Sequence, residues 1–416
     1  MKLRFGFGTG YQEVTVPEEN ILEILSANEV PVELTGEAEV IRALDAPIGA
    51  PAISQVVRPG EKIAIITSDI TRPCPTWQIL PPLLDRLYEA GISREDITLV
   101  FALGSHRAHT PEEMARLAGS RAWQEIRCVD SDPNDCIRLC VTGHGTPVDI
   151  TRTVADADRR ICLGNIEYHS FAGFSGGAKA IMPGVSTRQA IQTNHTMMIR
   201  PEAHAGKLEG NPLREDIEEA GRICGIDYIV NVVLDEHKNI IHAVAGDAVL
   251  AHRAGCRFLD RLYRKEIARK ADIVLVSQGG APKDLNLYQT QKALDNAKHA
   301  VRDGGIIILM GSCKEGLGEK TFGRWIEEAK KPSDLVDRVK RDFQLGGHKA
   351  AAIAMVLENA DIYLVSEMED ALAEKCFLQP FSSAQAAFDA AIAKLGKDAK
   401  IIAMPCGGST LPCLAE

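Results

Sequence analysis

Short apolar runs alternate with amphipathic stretches along the chain, a pattern typical of parallel strands joined by helical crossovers. The segments KIAIITSD (62–69), ITLVFALGSH (97–106) and RRICLGNIE (159–167) have the length and apolar content of buried strands. Helical spacing in LLDRLYEAG places a helix between the first two strands, and YIVNVVLDEHKNIIHAVAG (228–246) has the pattern of a hairpin or meander. We therefore predict an α/β fold with mostly parallel sheets.

One helix start can be located from its capping residues. Thr110, Pro111 and Glu113 match an N-cap, a first-turn proline and a capping-box acid at the beginning of TPEEMARLAG. The segments STRQAIQTNHTMMI (186–199) and PLREDIEEAGRICG (212–225) also have helical periodicity.

A second alternation of strands and helices begins at ADIVLVSQGG (271–280) and continues through a predicted helix, NLYQTQKALDNAKHAVRDG (286–304). It closes with the apolar runs ADIYLVSE and KIIAMPCGG. We place a domain boundary near residue 268, which gives an N-terminal α/β domain (1–268) and a C-terminal α/β domain (269–404). The tail (405–416) is predicted to return to the N-terminal domain.

Composition narrows the possible partners. The 416 residues include 45% hydrophobic and 25% charged residues, with a formal net charge of -10 and no basic block, so neither nucleic acid nor a membrane is an expected partner. We expect a cytoplasmic protein, because no leader-like start or uninterrupted run of eighteen apolar residues is present. The 11 cysteines are scattered and odd in number, which favours reduced thiols, and the spacing of Cys136 and Cys140 alone does not predict a metal site.

Polar side chains collect where the first three strands are predicted to end. Ligands of doubly wound sheets bind at the carboxyl ends of strands, so these residues predict one shared pocket. Each also has a plainer explanation, since acids and threonines before a proline form turns and single histidines often lie on the surface. The residues are Asp69, Thr71, Arg72, Ser105, His106, Arg107, Glu167 and His169.

The glycine-rich stretch YHSFAGFSGGAKAIMPG (168–184) contains Lys179 between two alanines. A phosphate-binding P-loop would need a hydroxyl residue directly after the lysine, and a dinucleotide fingerprint would need GxGxxG, so both readings fail. Gly173, Gly176 and Gly177 still allow backbone amides to approach a phosphate. The lysine amine is able either to pair with that phosphate or to carry a covalent group.

At this point the sequence resembles the nickel-pincer lactate racemases and related 2-hydroxyacid racemases and epimerases. The resemblance covers essentially the whole chain. It rests on SDITRP (68–73), LGSHRAHTPEE (103–113), EYHSFAGFSGGAKAIMPG (167–184), TNHT (193–196), QGGAPKDLNLYQTQK (278–292) and MPCGGSTLP (404–412).

The resemblance implies a cofactor, the pyridinium-3-thioamide-5-thiocarboxylic acid mononucleotide with Ni(II), which separate cofactor-biosynthesis enzymes must supply. Lys179 matches the lysine that carries this nucleotide covalently, and His195 matches the protein ligand of nickel. A square-planar site with soft sulfur donors and one imidazole suits nickel. Without the resemblance, His195 is only a histidine on an amphipathic helix. Further expected cofactor contacts are Asp69, Thr71, Ser175, Gly176 and Gly177.

The resemblance also implies the reaction, inversion of the C2 centre of a small-molecule 2-hydroxy acid by proton-coupled hydride transfer. It assigns His106 and His169 as the acid and base, a role that suits imidazole because its unperturbed pKa lies near neutrality. The active site is expected in a cleft between the two domains. The substrate contacts are expected from Arg72, Tyr288, Gln289, Lys292, His348 and Lys349.

Two of these expectations have alternatives. Lys292 could instead pair with Asp295 or Asn296 on a solvated helix face. FQLGGHKAAA (343–352) has no tryptophan where lactate-specific enzymes of the family carry one, and a cationic pair of His348 and Lys349 would suit a larger or doubly anionic hydroxy acid. A supporting role behind the substrate pocket is the alternative for that pair.

Two other functions compete with racemisation. A hydroxyacid dehydrogenase on a related scaffold is disfavoured by the missing dinucleotide fingerprint. A binding or storage protein for the pincer nucleotide would need Lys179 and His195 but neither His106 nor His169. The sequence predicts neither the substrate beyond this class nor the oligomeric state.

Overall fold

Runs of buried isoleucine, valine and leucine form two six-stranded sheets, one in each of two structural units. The computed structural model describes residues 1–415. Contacts within the chain define a central unit, Val30–Arg261, and a terminal unit that combines Met1–Glu29 with Leu262–Glu416. The α/β class predicted from the sequence is confirmed.

The strands of residues 1–415 are β1 (Lys2–Phe7), β2 (Gly10–Thr15), β3 (Ile21–Ile24), β4 (Ile63–Ser68), β5 (Ile97–Ala102), β6 (Arg127–Asp130), β7 (Cys136–Val141), β8 (Pro147–Thr151), β9 (Arg159–Asn165), β10 (Tyr168–His169), β11 (Gly173–Phe174), β12 (Tyr228–Leu234), β13 (Ile240–Gly246), β14 (Arg264–Ile267), β15 (Ala271–Ser277), β16 (Val301–Met310), β17 (Ala360–Val365), β18 (Gln379–Phe381), β19 (Ile401–Met404) and β20 (Leu411–Leu414).

The α-helices of the same residues are α1 (Gly36–Asp45), α2 (Ile53–Val56), α3 (Thr76–Glu89), α4 (Pro111–Glu125), α5 (Arg152–Ala155), α6 (Arg188–His195), α7 (Pro212–Cys224), α8 (Leu250–Tyr263), α9 (Leu287–Thr290), α10 (Lys292–Ala297), α11 (Lys320–Glu328), α12 (Pro332–Arg341), α13 (Gly347–Leu357), α14 (Asp370–Lys375) and α15 (Ala384–Leu395). None of these helices is long and apolar enough to span a bilayer.

The central sheet has the order β13-β12-β9-β4-β5-β6, with every pair parallel except β12 and β13. The chain runs outward from β4 through β5 to β6 and then returns to β9 on the other side of β4. Strand order therefore reverses between β4 and β9, the point where open α/β sheets bind ligands. The predicted capping box of α4 is present, with Glu113 N–H donating to Thr110 Oγ1.

The terminal sheet has the order β18-β17-β16-β15-β19-β3 and is entirely parallel. Its edge strand β3 comes from the N-terminal residues, and Leu3, Phe5 and Val14 pack in the same core as Ile273 and Ile308. The predicted domain 1–268 is therefore divided differently in the structure, because residues 1–29 complete the second sheet.

The tail strand β20 pairs with β14, whose residues 264–267 lie inside the predicted domain 1–268 and belong to the terminal unit. One expectation in this unit is corrected. The predicted helix 286–304 ends at Ala297, and Val301 already begins β16. Gly304, at φ 72°, favours a strand irregularity over continued helix, and β16 is paired on both sides.

Candidate active site

A carboxylate and a histidine meet where β4 and β5 end. Asp69 follows β4, is 4% exposed, and its Oδ2 hydrogen-bonds to His106 Nδ1. Thr71 donates from its backbone N–H (2.7 Å) and its hydroxyl (2.5 Å) to Asp69 Oδ1. Burial alone would raise the Asp69 pKa, but the hydrogen bond and charge of His106 and the Thr71 bonds lower it below its ordinary value.

This pairing fixes the proton on the His106 ring. An ionised carboxylate only accepts hydrogen bonds, so His106 must carry its proton on Nδ1 and presents an Nε2 lone pair. The His106 side chain is 31% exposed, which leaves it accessible to a ligand. The structure therefore brings Asp69, Thr71 and His106 together in the arrangement of a positioned general base.

His109, for which the sequence suggested no role, holds the same loop in place. Its Nδ1 hydrogen-bonds to Asp130 Oδ1 (2.6 Å), and its Nε2 accepts the backbone N–H of Ile70 (3.0 Å). The ring is fully buried, so both nitrogens are used in the interior. The residue directly after Asp69 is thereby fixed to the end of β6. Its position three residues after His106 was the only signal in the sequence.

His169 lies on the short hairpin formed by β10 and β11. Its Nδ1 accepts the backbone N–H of Ala172 at 3.3 Å, so the neutral ring carries its proton on Nε2. The ring meets the edge of Phe171, with centroids 4.5 Å apart, and Phe171 in turn meets the ring of His195 at 5.1 Å. One buried phenylalanine thus lies between the expected acid–base histidine and the expected metal ligand.

Lys179 lies in a tight helical turn, Gly177–Ala180, within the glycine-rich segment. Its half-buried side chain forms no ion pair within residues 1–415. Burial, followed by the charges of Arg72 and Arg214, lowers its pKa well below the ordinary value, and Glu167 opposes this less strongly. A lowered pKa increases the fraction of neutral, nucleophilic amine, which is the form that covalent attachment requires.

The turn before Lys179 requires glycine. Gly176 has φ 77°, and a Cβ added there would lie 2.7 Å from Asn231 Oδ1. Gly177 donates its backbone N–H to the same Asn231 oxygen at 2.7 Å. Asn231 is 1% exposed, and within residues 1–415 its Nδ2 has no hydrogen-bond partner. The turn therefore combines close backbone packing with an unsatisfied donor, which fits a segment that holds a polar group.

Buried cationic and polar side chains support this segment from the protein interior. Arg214 is 1% exposed and donates to the Phe174 carbonyl at 3.2 Å, while His252 Nε2 donates to the Ser175 carbonyl at 2.8 Å. The Ser175 hydroxyl donates to the Asn165 carbonyl at 2.7 Å. Its side chain therefore holds the loop, and a cofactor contact from Ser175 stays a prediction.

His195 ends α6 and is 5% exposed. Its Nδ1 hydrogen-bonds to Asn194 Oδ1 at 3.0 Å, so a metal would bind this ring through Nε2. Within residues 1–415 no three His, Cys, Asp or Glu side chains gather into a metal-binding group. A metal at His195 would need most of its donors from a bound group. These residues fit a cofactor that brings its own sulfur ligands and is attached through Lys179.

The terminal unit holds the other expected substrate residues. Tyr288 and Gln289 lie in α9, and Lys292 begins α10. The Lys349 ammonium donates to the Tyr288 carbonyl at 2.8 Å and lies 4.2 Å from the centroid of the Tyr288 ring. Gln278 Nε2 donates to the Gln289 carbonyl at 3.1 Å. The structure brings Lys349 and Tyr288 into contact, and contact of Tyr288, Gln289, Lys292 and Lys349 with substrate stays a prediction.

The expected cation pair at 348 and 349 is corrected. His348 is 7% exposed, and its Nδ1 accepts the Gly346 backbone N–H at 3.1 Å. Burial, reinforced by the charge of Lys349, lowers the His348 pKa to about 3. His348 is therefore a neutral interior residue near physiological pH, and Lys349 supplies the only charge of the pair.

Comparison with known proteins matches both parts of the chain to family models. Residues 7–206 match the lactate racemase N-terminal domain, and residues 267–411 match the lactate racemase C-terminal domain. A lactate racemase of Thermoanaerobacterium thermosaccharolyticum is 33% identical over 417 residues, covering 97% of both chains. A lactate racemase of Lactiplantibacillus plantarum is 31% identical over 385 residues, covering 90% of both.

Solved structures agree with this assignment. The lactate racemase apoprotein of T. thermosaccharolyticum superposes with a TM-score of 0.90 at 31% identity, covering 100% of both chains. A protein of Thermotoga maritima, 18% identical, has a TM-score of 0.66 over 92% of this chain and all of its own, and supports the fold alone. The chain belongs to the lactate racemase family and is a racemase, an isomerase.

Proposed function

We propose that this racemase inverts the C2 centre of a 2-hydroxy acid with a nickel-pincer nucleotide attached to Lys179. One observation carries the proposal. A lysine with a lowered pKa, a carboxylate-paired histidine and a hairpin histidine all belong to the carboxyl-end segments of one sheet, where its strand order reverses. The names of the relatives make lactate the first substrate to test.

The hydroxyl proton of the substrate goes to His106. Its Nε2 lone pair accepts that proton, and the imidazolium that forms is stabilised by Asp69. Lys179 and His195 would hold the nickel-pincer nucleotide, which would supply a reversible acceptor for the C2 hydride. The substrate that has lost both hydride and proton is a planar 2-oxo acid, so re-addition at its opposite face, with the proton returned by a histidine, gives the other enantiomer.

His169 has the complementary role. In its neutral form it presents Nε2–H, which hydrogen-bonds to the substrate oxygen as negative charge develops there. For the enantiomer of opposite hand it acts as the base, which requires its proton to move to Nδ1 and the 3.3 Å contact with Ala172 to open. Arg72, next to the Asp69 loop, supplies a cation for the substrate carboxylate.

The terminal unit contributes binding and no chemistry in this proposal. Gln289, Lys292 and Tyr288 contact the substrate carboxylate or its 2-substituent, with Lys349 holding Tyr288 in position. That these residues and the central histidines serve one substrate in a cleft stays a prediction. With His348 neutral, a singly charged hydroxy acid is favoured over a doubly anionic one.

The test is intact mass, nickel analysis and peptide mapping of protein produced together with the cofactor-making enzymes. We expect an adduct on Lys179 and about one nickel per chain, because His195 is the single protein ligand assigned to the metal. Protein made without those enzymes should not racemise lactate. The matched variant Lys179→Arg should keep the fold and lose the adduct. Robust racemisation by the unmodified, nickel-free chain would refute the proposal.

His106 distinguishes catalysis from storage of the nucleotide. The variant His106→Gln should retain the adduct and nickel but lose racemisation. A protein that only stores the nucleotide would show no racemisation before the substitution either.

A further inference from the structure

A buried carboxylate lies behind the expected metal ligand. Asp216, on α7, is fully buried, and the carboxylate accepts hydrogen bonds from the hydroxyls of Thr142 and Thr146, the latter at 2.7 Å. A third donor is Asn194, whose Nδ2 lies 2.7 Å from Asp216 Oδ2. No cation pairs with Asp216 in residues 1–415. Its hydrogen bonds come from neutral groups that are themselves fixed in the interior.

Asp216 determines which way the Asn194 amide faces. Both hydrogens of Asn194 Nδ2 are used, one toward Asp216 Oδ2 and the other toward the Leu213 carbonyl at 3.2 Å. Both of these groups are acceptors, so the amide cannot be reversed without placing its oxygen against them. The Asn194 oxygen must therefore face the other way, where it meets His195 Nδ1 at 3.0 Å.

The fixed amide then determines the state of the imidazole. An amide oxygen only accepts, so Nδ1 of His195 must carry the ring proton, and Nε2 keeps its lone pair. The edge contact with Phe171 and the burial of His195 restrict rotation of the ring. A histidine that binds a metal through Nε2 needs this tautomer, and in proteins the partner of the other ring nitrogen usually sets it.

We propose that Asn194 and Asp216 are positioning residues that hold His195 in the Nδ1–H tautomer and aim its Nε2 lone pair at nickel. The role of Nε2 as a nickel ligand rests on the proposed function. The tautomer itself rests only on the hydrogen bonds of Asn194, and it exists before any cofactor is attached. The relay is Asp216, Asn194 and His195, in that order.

The first measurement is the protonation of each His195 nitrogen in the apoprotein, by ¹⁵N NMR of histidine-labelled protein. The variant His195→Gln identifies the signals. Wild-type protein should show a protonated Nδ1 and an unprotonated Nε2. Asn194→Leu removes the acceptor and should shift His195 toward the Nε2–H form, and Asp216→Asn should give a mixture because the amide is then free to reverse.

Thr193→Ala is the matched control. Thr193 lies on the same helix, and its hydroxyl donates to the Gln189 carbonyl at 3.0 Å on an exposed face. This variant should leave the His195 signals unchanged. If Asn194→Leu does not fold, the spectra of wild-type protein and of Asp216→Asn still test the relay. A protonated Nε2 in wild-type protein, or identical His195 signals in both folded variants, overturns the relay.

The second measurement is nickel retention during dialysis of the cofactor-loaded protein. Loss of a group that orients a metal-binding histidine costs about 10- to 100-fold in metal affinity, and we expect that loss in Asn194→Leu and Asp216→Asn but not in Thr193→Ala. The two measurements separate the two claims. If His195→Gln retains nickel as well as wild-type protein does, His195 is not the nickel ligand of the proposed function. The NMR result would still test whether Asn194 and Asp216 fix the tautomer of His195.

Discussion

Replacing Asp69 with asparagine should reverse the tautomer of His106 while changing almost nothing in shape. Two Thr71 donors converge on Asp69 Oδ1, at 2.7 and 2.5 Å, so the amide oxygen of the variant should take that position. Its NH₂ group would then replace Oδ2 and face His106 Nδ1. A donor at that position forces Nδ1 to accept and moves the ring proton to Nε2. His106 would lose the lone pair with which it removes the hydroxyl proton.

We expect the variant to lose the whole rate contribution of its general base. Such a group contributes about 10²- to 10⁴-fold in rate, which corresponds to about 2.7–5.4 kcal/mol of transition-state stabilisation. We therefore expect kcat for racemisation to fall by that factor with little change in KM, because Asp69 acts through His106 and not on the bound substrate. The assay is enantiomer-specific detection of product from each pure enantiomer, with adduct and nickel content verified in every sample.

A double variant provides the control. Adding Thr71→Ala to Asp69→Asn removes one of the two donors at the amide oxygen, so the amide can rotate more easily and part of the activity should return. Thr71→Ala alone should have a small effect, because Asp69 retains its charge. If Asp69→Asn keeps more than about a tenth of wild-type kcat with equal cofactor loading, the assignment of Asp69 and His106 is wrong.

Three further predictions follow from the same geometry. The Lys179 pKa is lower in the folded protein than in the unfolded chain. The free energy of unfolding of the apoprotein should therefore increase as the pH rises from the lowered pKa toward the ordinary 10.5, and thermal melts of Lys179→Met should lack this increase. His109→Leu leaves the Ile70 N–H unsatisfied, so calorimetry should show a loss of about 1–3 kcal/mol, and kcat should fall as the Asp69 loop loosens; an unchanged melt would contradict this role. With a pKa of about 3, His348 should not titrate in the working range, so His348→Gln should leave the pH profile of kcat/KM unchanged in shape, whereas a shifted limb would show that His348 ionises there.

The sequence was most informative where function depends on local position. Asp69 and His106 follow two adjacent parallel strands, and strand ends can be located from apolar runs, so their meeting was predictable. Lys179 and His195 are different. Nothing in the spacing of residues distinguishes them from a phosphate-binding lysine and a packed helical histidine, and their roles entered only through the resemblance to a family.

Tertiary hydrogen bonding was not predictable from the sequence. Asp216 and Arg214 lie on one amphipathic helix, where charged residues normally face solvent, yet both are buried because they meet polar groups from distant segments. The same limit applies to strand pairing. ILEI (21–24) was not predicted as a strand, and its pairing with β19, almost four hundred residues later, depends on which sheet edge is open.

The histidines of the central unit show how one kind of side chain is given different roles by the partner of its Nδ1 atom. His106 donates Nδ1–H to the carboxylate of Asp69, a partner that suits the general base of the proposed reaction. His195 donates Nδ1–H to the neutral amide of Asn194. That partner fixes the same tautomer without adding a charge, which suits the proposed nickel ligand.

Two more histidines of this unit, His109 and His169, extend the same reasoning. His109 also has a carboxylate partner, but the Ile70 N–H occupies its Nε2, so it has no atom left for chemistry and serves the loop alone. His169 accepts at Nδ1 from a backbone N–H and therefore presents a donor at Nε2. A motif with several histidines thus does not reveal which one reacts. The hydrogen-bond partner of one ring nitrogen reveals which histidine can react. That partner decides whether the other ring nitrogen presents a lone pair, a proton or neither.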